Sequence, residues 1–213
     1  MSKECNNMKY TYLNNKLARN EAKKECEKII KSLQKVLNEY FTFSFELIGS
    51  GKTNIITVDK KSNSFDLDYN IIIQKDKKNL IHNPKKIKEL FLSKMNEINC
   101  KFKFDFPCNS KSVITSSRKP IKCYNFSFDI AILIEGNNGN YMKIIYDKHN
   151  DNNYKWNEIK NSNQYQQLYS IIKQNHYVEF KRIYLEKKNS NTNKVSFSLF
   201  LETINELYDK YEK

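Results

Sequence analysis

Asp66 and Asp68, one residue apart in Phe65-Asp66-Leu67-Asp68-Tyr69, are the residues of this 213-residue chain best placed to do chemistry. On a β-strand successive side chains point to opposite faces, so residues two apart share a face. Both carboxylates therefore point one way, while Leu67 and Tyr69 point the other. Two negative charges held close together on a rigid element repel unless a cation lies between them. Carboxylate oxygens suit a hard cation, Mg²⁺ first and Mn²⁺ as its alternative. Upstream, Gly49-Ser50-Gly51 closes the run Phe41 to Ile48. A glycine-serine turn followed by an Asp-x-Asp strand suggests nucleotide phosphates clamped by metal.

The same turn, extended to Gly49-Ser50-Gly51-Lys52-Thr53, also reads as the second half of a P-loop. That motif needs a glycine five residues before Gly51, and it must run into a helix. Position 46 is Glu, and the chain continues as Asn54-Ile55-Ile56-Thr57-Val58, rich in β-branched residues. A P-loop NTPase is therefore the less favoured alternative.

The ordered set is Ile48-Gly49-Ser50, a connection over residues 51–65, Asp66-Leu67-Asp68-Tyr69, and a later acid in Phe126-Ser127-Phe128-Asp129-Ile130. It resembles the DNA polymerase β-like nucleotidyltransferase superfamily. Within it the chain looks like a small bacterial branch, similar in its core to oligoadenylate, cyclic-nucleotide and tRNA-end-adding enzymes. The motifs cover about residues 40–135, and the connection is somewhat longer than the common range.

The resemblance implies an α+β fold: a polymerase β-like core, a mixed sheet with flanking helices, followed by a C-terminal helical region. It implies an Mg²⁺-dependent transfer of a nucleoside monophosphate from an NTP to a hydroxyl, releasing pyrophosphate. Asp66, Asp68 and Asp129 would be the catalytic and metal-holding acids. Gly49, Ser50, Gly51 and Lys52 would grip the phosphates, and Lys181 and Arg182 would reach the triphosphate from the helical tail. The acceptor is an RNA end or a second nucleotide, with a protein or small-molecule hydroxyl also open. A catalytically inactive nucleic-acid-binding module of the same fold is the non-enzyme alternative.

The residues support that chemistry without the name. Three carboxylates holding two metals can clamp the attacking and leaving oxygens of a phosphoryl displacement. Asp129 lies in an otherwise apolar strand, where an unpartnered carboxylate is costly, so a metal or base role is expected for it. Asp105, in Phe104-Asp105-Phe106, is the rival third acid, but Pro107 comes directly after that segment. For Lys181 and Arg182 the plain alternative is a solvated surface. His82, His149 and His176 are scattered and support no Ser-His or Cys-His set.

A net charge of +13 favours polyanionic partners such as RNA, although lysine abundance in an Asn- and Ile-rich chain produces the same balance. Hydrophobic residues at 39% and aromatics at 13% suffice for a core. Five cysteines (5, 26, 100, 108 and 123) form no Cys-x-x-Cys pair and match no zinc spacing, so free thiols are expected. No apolar stretch reaches membrane-spanning length, and Met1 to Cys5 lacks a signal-peptide core; a cytoplasmic protein with no membrane partner is expected.

The elements that must position these residues are set by periodicity. Helices are predicted over 14–39, 84–99, 163–174, 177–188 and 195–211. Strands are predicted over 41–48, 65–74, 101–106, 112–116, 124–134 and 141–146, with a short strand or turn near 55–58. Asn-rich loops are expected at 137–140, 150–153 and 189–193. Trp156, the only tryptophan, is expected to anchor the tail against the sheet rather than stack on a base. The division expected is a core over residues 1–150 and a packed helical region over 151–213.

Overall fold

Apolar residues recurring every three to four positions decide the two long helices that flank the acids. The computed structural model describes residues 8–137, 139–147, 153–159 and 163–212. The reading of Met1 to Cys5 and most of the 150–153 loop fall outside them. Helix α1, Lys16–Val36, begins where the Asn15 side chain accepts the Ala18 N–H, and it buries Ala18, Ala22, Cys26, Ile29, Ile30 and Leu33. Helix α3, Pro84–Phe102, starts with proline in its first turn, has Asn83 capping Lys86, and buries Ile87, Phe91, Met95 and Ile98. Between them in sequence lies the five-residue helix α2, Gly49–Thr53.

The chain divides into two compact units. The larger comprises Leu13–Ile56 and Asn63–Lys160. Its sheet is mixed. Strand β2, Phe41–Ile48, runs antiparallel to β4, Ser64–Asp76, which runs parallel to β7, Tyr124–Glu135. Beyond β7 lie β6, Ile114–Ile121, and the two-residue β5, Cys108–Asn109. The far end of β7 pairs with β8, Tyr141–Asp147, which pairs with β9, Asn153–Glu158.

One face of this sheet is core. Phe41, Phe43, Phe65, Leu67, Tyr69, Ile71, Phe126, Phe128 and Ile130 are at most 5% exposed, packed with the buried apolar residues of α1 and α3 named above. Phe91 of α3 stacks on Phe41 at 6.0 Å between ring centroids and tilts against Phe43 at 5.5 Å. Asn99 of α3 donates to Ser116 of β6 at 2.7 Å, a buried bond that ties the helix to the sheet.

The smaller unit gathers the N-terminal residues to Tyr12, Thr57–Ser62 and Asn161–Lys213. Strands β1, Tyr10–Tyr12, and β3, Thr57–Asp59, pair antiparallel. Helices α4, Asn163–Asn175, α5, Tyr177–Ser190, and α6, Ser196–Tyr211, pack around the rings of Tyr169, Phe180, Tyr184 and Phe200. The Tyr12 hydroxyl donates to the Lys181 carbonyl at 2.6 Å.

Three sequence expectations are corrected. Residues 101–106 do not form a strand: α3 continues through Phe102 and is capped by Lys103 at φ 59°. The aromatic alternation there serves a loop, in which Phe104 packs edge-on against Phe126 and Phe128. Trp156, expected as a tail anchor, belongs to β9 itself and donates to the Ile81 carbonyl at 2.7 Å, so it ties the sheet to the β4–α3 loop. Asn189 and Ser190 extend α5 where a loop is expected, and the helix closes at Asn191, whose backbone N–H donates to the Lys187 carbonyl at 2.9 Å.

Candidate active site

Strand register builds the site. Asp66 lies opposite Ser127, and Asp68 opposite Asp129, across the parallel β4–β7 pair. On the other side of β7, Thr115 lies opposite Asp129 and Ser117 opposite Ser127. The result is a grid of two rows over three strands. One row reads Asp66, Ser127, Ser117, and the other reads Asp68, Asp129, Thr115. All six share the face away from the helices, because their sequence neighbours Leu67, Tyr69, Phe126 and Phe128 fill the core face.

Asp66 is exposed, while Asp68 and Asp129 are half-buried. Ser127 donates its hydroxyl to Oδ1 of Asp66. Thr115 donates to Oδ1 of Asp129 at 2.6 Å. Burial pushes the Asp129 carboxyl above the usual aspartate range, and the nearby Asp66 charge pushes the same way; the Thr115 bond opposes both.

The glycine turn joins this face at Asp68. Ile48, the last residue of β2, pairs with Asp68, so the chain leaves the strand beside that carboxylate. Gly49 has φ +58°, and a Cβ there would stand 3.0 Å from Oδ2 of Asp68. Only glycine tolerates both the left-handed backbone and that approach. Gly51 serves another end: a Cβ there would meet Leu47 Cδ1 at 2.9 Å, so the glycine lets the turn pack closely on Leu47.

Ser50 is half-buried in α2, where its carbonyl accepts the Ile55 N–H at 3.1 Å. Lys52 pairs with Glu46 at 3.8 Å, and Glu46 accepts from Asn70 at 3.2 Å on the same sheet face. Helix α2 ends after five residues at Asn54, which has φ 61°, and the chain then enters β3. Lys52 and Thr53 therefore do not open the long helix that a P-loop requires.

The remaining candidates belong to other elements. Asp105 is exposed in the loop after α3, its N–H bonded to the Ser117 carbonyl at 2.9 Å, and it has no place in the grid. Lys181 and Arg182 belong to α5 in the other unit. The Lys181 ammonium lies 4.9 Å from the Tyr177 ring centroid, and Arg182 forks onto Glu186 at 2.9 and 3.0 Å. Cys100, Cys108 and Cys123 are exposed free thiols, and Cys26 is buried, which pushes its thiol up. A cavity of about 550 Å³ is lined by Ile81, His82, Met142 and Trp156 among others, and by none of the acids in the grid.

Among the described residues, no three His, Cys, Asp or Glu side chains form a cluster able to hold a metal ion. Two of the acids are engaged by hydroxyls instead. The donor chemistry nevertheless fits a hard cation: three carboxylates on one rigid face, one with its proton affinity raised by burial and, less, by a neighbouring acid. Sequence reasoning missed Thr115 and Ser127. Ser127 was within reach of it, since alternation places it on the face of Asp129, whereas Thr115 depends on a register no local pattern encodes.

No family model matches the sequence. No curated protein matches it either. Solved structures match by shape. The STING-associated CdnE c-di-GMP synthase of Capnocytophaga granulosa is 18% identical with a TM-score of 0.59, covering 92% of this chain and 62% of its own. The Elizabethkingia meningoseptica CdnE cyclic dinucleotide synthase, with GTP and Apcpp, is 13% identical with a TM-score of 0.57, covering 86% and 68%. GTP-bound Vibrio cholerae DncV is 11% identical with a TM-score of 0.57, covering 85% and 51%. This chain thus spans about half to two thirds of those proteins' length. Its mixed sheet with flanking helices and C-terminal helices is the polymerase β-like nucleotidyltransferase fold.

Proposed function

We propose that this chain is an NTP-using nucleotidyltransferase that works on the acid face of its sheet. The observation that carries this reading is Asp68 directly opposite Asp129, with Asp66 beside them, on a sheet whose other face is closed core. Such a face gives acids a rigid platform and an open approach at once. A divalent cation held by Asp66, Asp68 and Asp129, Mg²⁺ or Mn²⁺, would supply positive charge to the triphosphate.

In the transfer, an acceptor hydroxyl oxygen bonds to the α-phosphorus as the bond from that phosphorus to the β-bridging oxygen breaks. Pyrophosphate leaves with that electron pair, and the hydroxyl proton must go to a base. Asp129 would take that role from its place opposite Asp68 on the open face of the sheet. Gly49 keeps the turn open beside Asp68, and Ser50 with Lys52 would hold the β- and γ-phosphates.

The acceptor we propose is a second nucleotide. Shape relatives named as c-di-GMP and cyclic dinucleotide synthases support it. The +13 charge supports the other acceptor, an RNA end. Incubating the purified protein with each labelled NTP and Mg²⁺, with and without total RNA, separates the readings. A labelled short oligonucleotide and pyrophosphate without RNA are expected. Label confined to RNA would replace the nucleotide acceptor with the RNA end. Release of inorganic phosphate that depends on Lys52 would restore the P-loop reading. No conversion at all, with salt-sensitive RNA binding unchanged by Asp66→Ala, would leave the binding module.

A further inference from the structure

Each of the two outer acids of the grid is met by one hydroxyl. Ser127 stands opposite Asp66 in the register and donates to its Oδ1. Thr115 stands opposite Asp129 and donates to its Oδ1 at 2.6 Å. The two hydroxyls come from different strands, β7 and β6, and each engages one oxygen of its acid. A carboxylate on a strand has two free torsions, and a hydrogen bond from a neighbouring strand fixes both. An Asp with no such partner can rotate its oxygens off the common face.

We propose that Thr115 and Ser127 are positioning residues, whose hydroxyls orient the Asp129 and Asp66 carboxylates for a divalent cation. The inference rests on the proposed function and adds residues to it. Groups that hydrogen-bond metal-ligating side chains fix ligand orientation, and their removal typically weakens metal affinity by about 10- to 100-fold. The rival account is that the hydroxyls merely satisfy the two carboxylates and contribute to folding alone. That account is indifferent to metal.

Mn²⁺ binding to the metal-free protein, read by loss of the free-ion electron paramagnetic resonance signal, distinguishes the two. Thr115→Val and Ser127→Ala are each expected to weaken Mn²⁺ affinity about 10- to 100-fold. Thr115→Ser and Ser127→Thr, which return the hydroxyl, are expected to restore affinity to within about threefold of the wild type. The two sites test the same claim independently, so a Thr115→Val protein that fails to fold leaves Ser127→Ala to decide. Wild-type affinity in both hydroxyl-deleted variants overturns the inference and leaves the acid site standing. Weakened binding that the hydroxyl-restoring variants do not rescue also overturns it, since packing would then be the cause. A wild-type protein that takes up no Mn²⁺ overturns the metal reading of the acids, and this inference with it.

Discussion

Strands β4 and β7 present alternate residues of the same two segments to two different environments. On one face, Phe65, Leu67, Tyr69, Phe126, Phe128 and Ile130 are at most 2% exposed. On the other, the intervening residues are Asp66, Asp68, Ser127 and Asp129, exposed or half-buried. The core face anchors the backbone, and the acid face uses that rigidity to hold like charges side by side. Asp129 carries the mark of this, its carboxyl pushed up by burial and by Asp66. The lesson is a division of labour: substitutions on one face should change folding, and on the other chemistry.

The strongest break of that comparison comes from the acids. Asp66→Ala, Asp68→Ala and Asp129→Ala should each lower nucleotidyl transfer by roughly a thousandfold, as loss of about 4 kcal/mol of transition-state stabilisation would. Asp66→Ala and Asp68→Ala should leave the melting temperature near the wild type, as measured by circular dichroism. Retained activity in any one would remove that residue from the acid set.

Phe128→Ala tests the opposite face. Phe128 is fully buried and meets Tyr69 and Phe104 edge-on. Its truncation should cost about 3–5 kcal/mol in urea unfolding. A change smaller than about 1 kcal/mol would mean that the aromatic core does not hold the platform.

Gly49→Ala lies between the two. The left-handed backbone should cost about 1–2 kcal/mol in an L-residue. The added Cβ would also meet the Asp68 carboxylate, so activity should fall further than stability does. Gly51→Ala, which meets Leu47 instead, should lose stability first. Equal effects at both glycines would contradict the contrast.

The smallest effect concerns charge. Because the folded pKa of Asp129 is raised, its protonated form is favoured by folding. Metal-free stability should therefore fall as pH rises past the unfolded aspartate value of about 3.9 and through the higher folded value. Asp129→Asn should remove that slope and raise the melting temperature at neutral pH. A lowered melting temperature would show that the ionised carboxylate stabilises the fold.

Where one face is apolar and the other polar, the sequence was legible. Alternation identified β2 at its observed bounds, Phe41–Ile48, and placed Asp66 and Asp68 on one face of β4. Edge elements hid themselves. Strand β9 reads Asn-Tyr-Lys-Trp-Asn-Glu and β1 is three residues long, so neither has the apolar content that marks a strand. Phe102, Phe104 and Phe106 misled in the other direction, because helix continuation and a left-handed cap at Lys103 depend on what Asn99 bonds rather than on spacing. Of the acids' partners, Thr115 was invisible for a related reason: it meets Asp129 through strand pairing across 14 residues.

The central claim is that the acid face is where nucleotide and metal meet. A crystal structure of the protein with a non-hydrolysable NTP and Mn²⁺, read by anomalous scattering, tests it most directly. The account predicts Mn²⁺ density bounded by Asp66, Asp68 and Asp129, with the triphosphate running toward Gly49 and Ser50. Nucleotide bound elsewhere, with no Mn²⁺ among these three carboxylates, would contradict it.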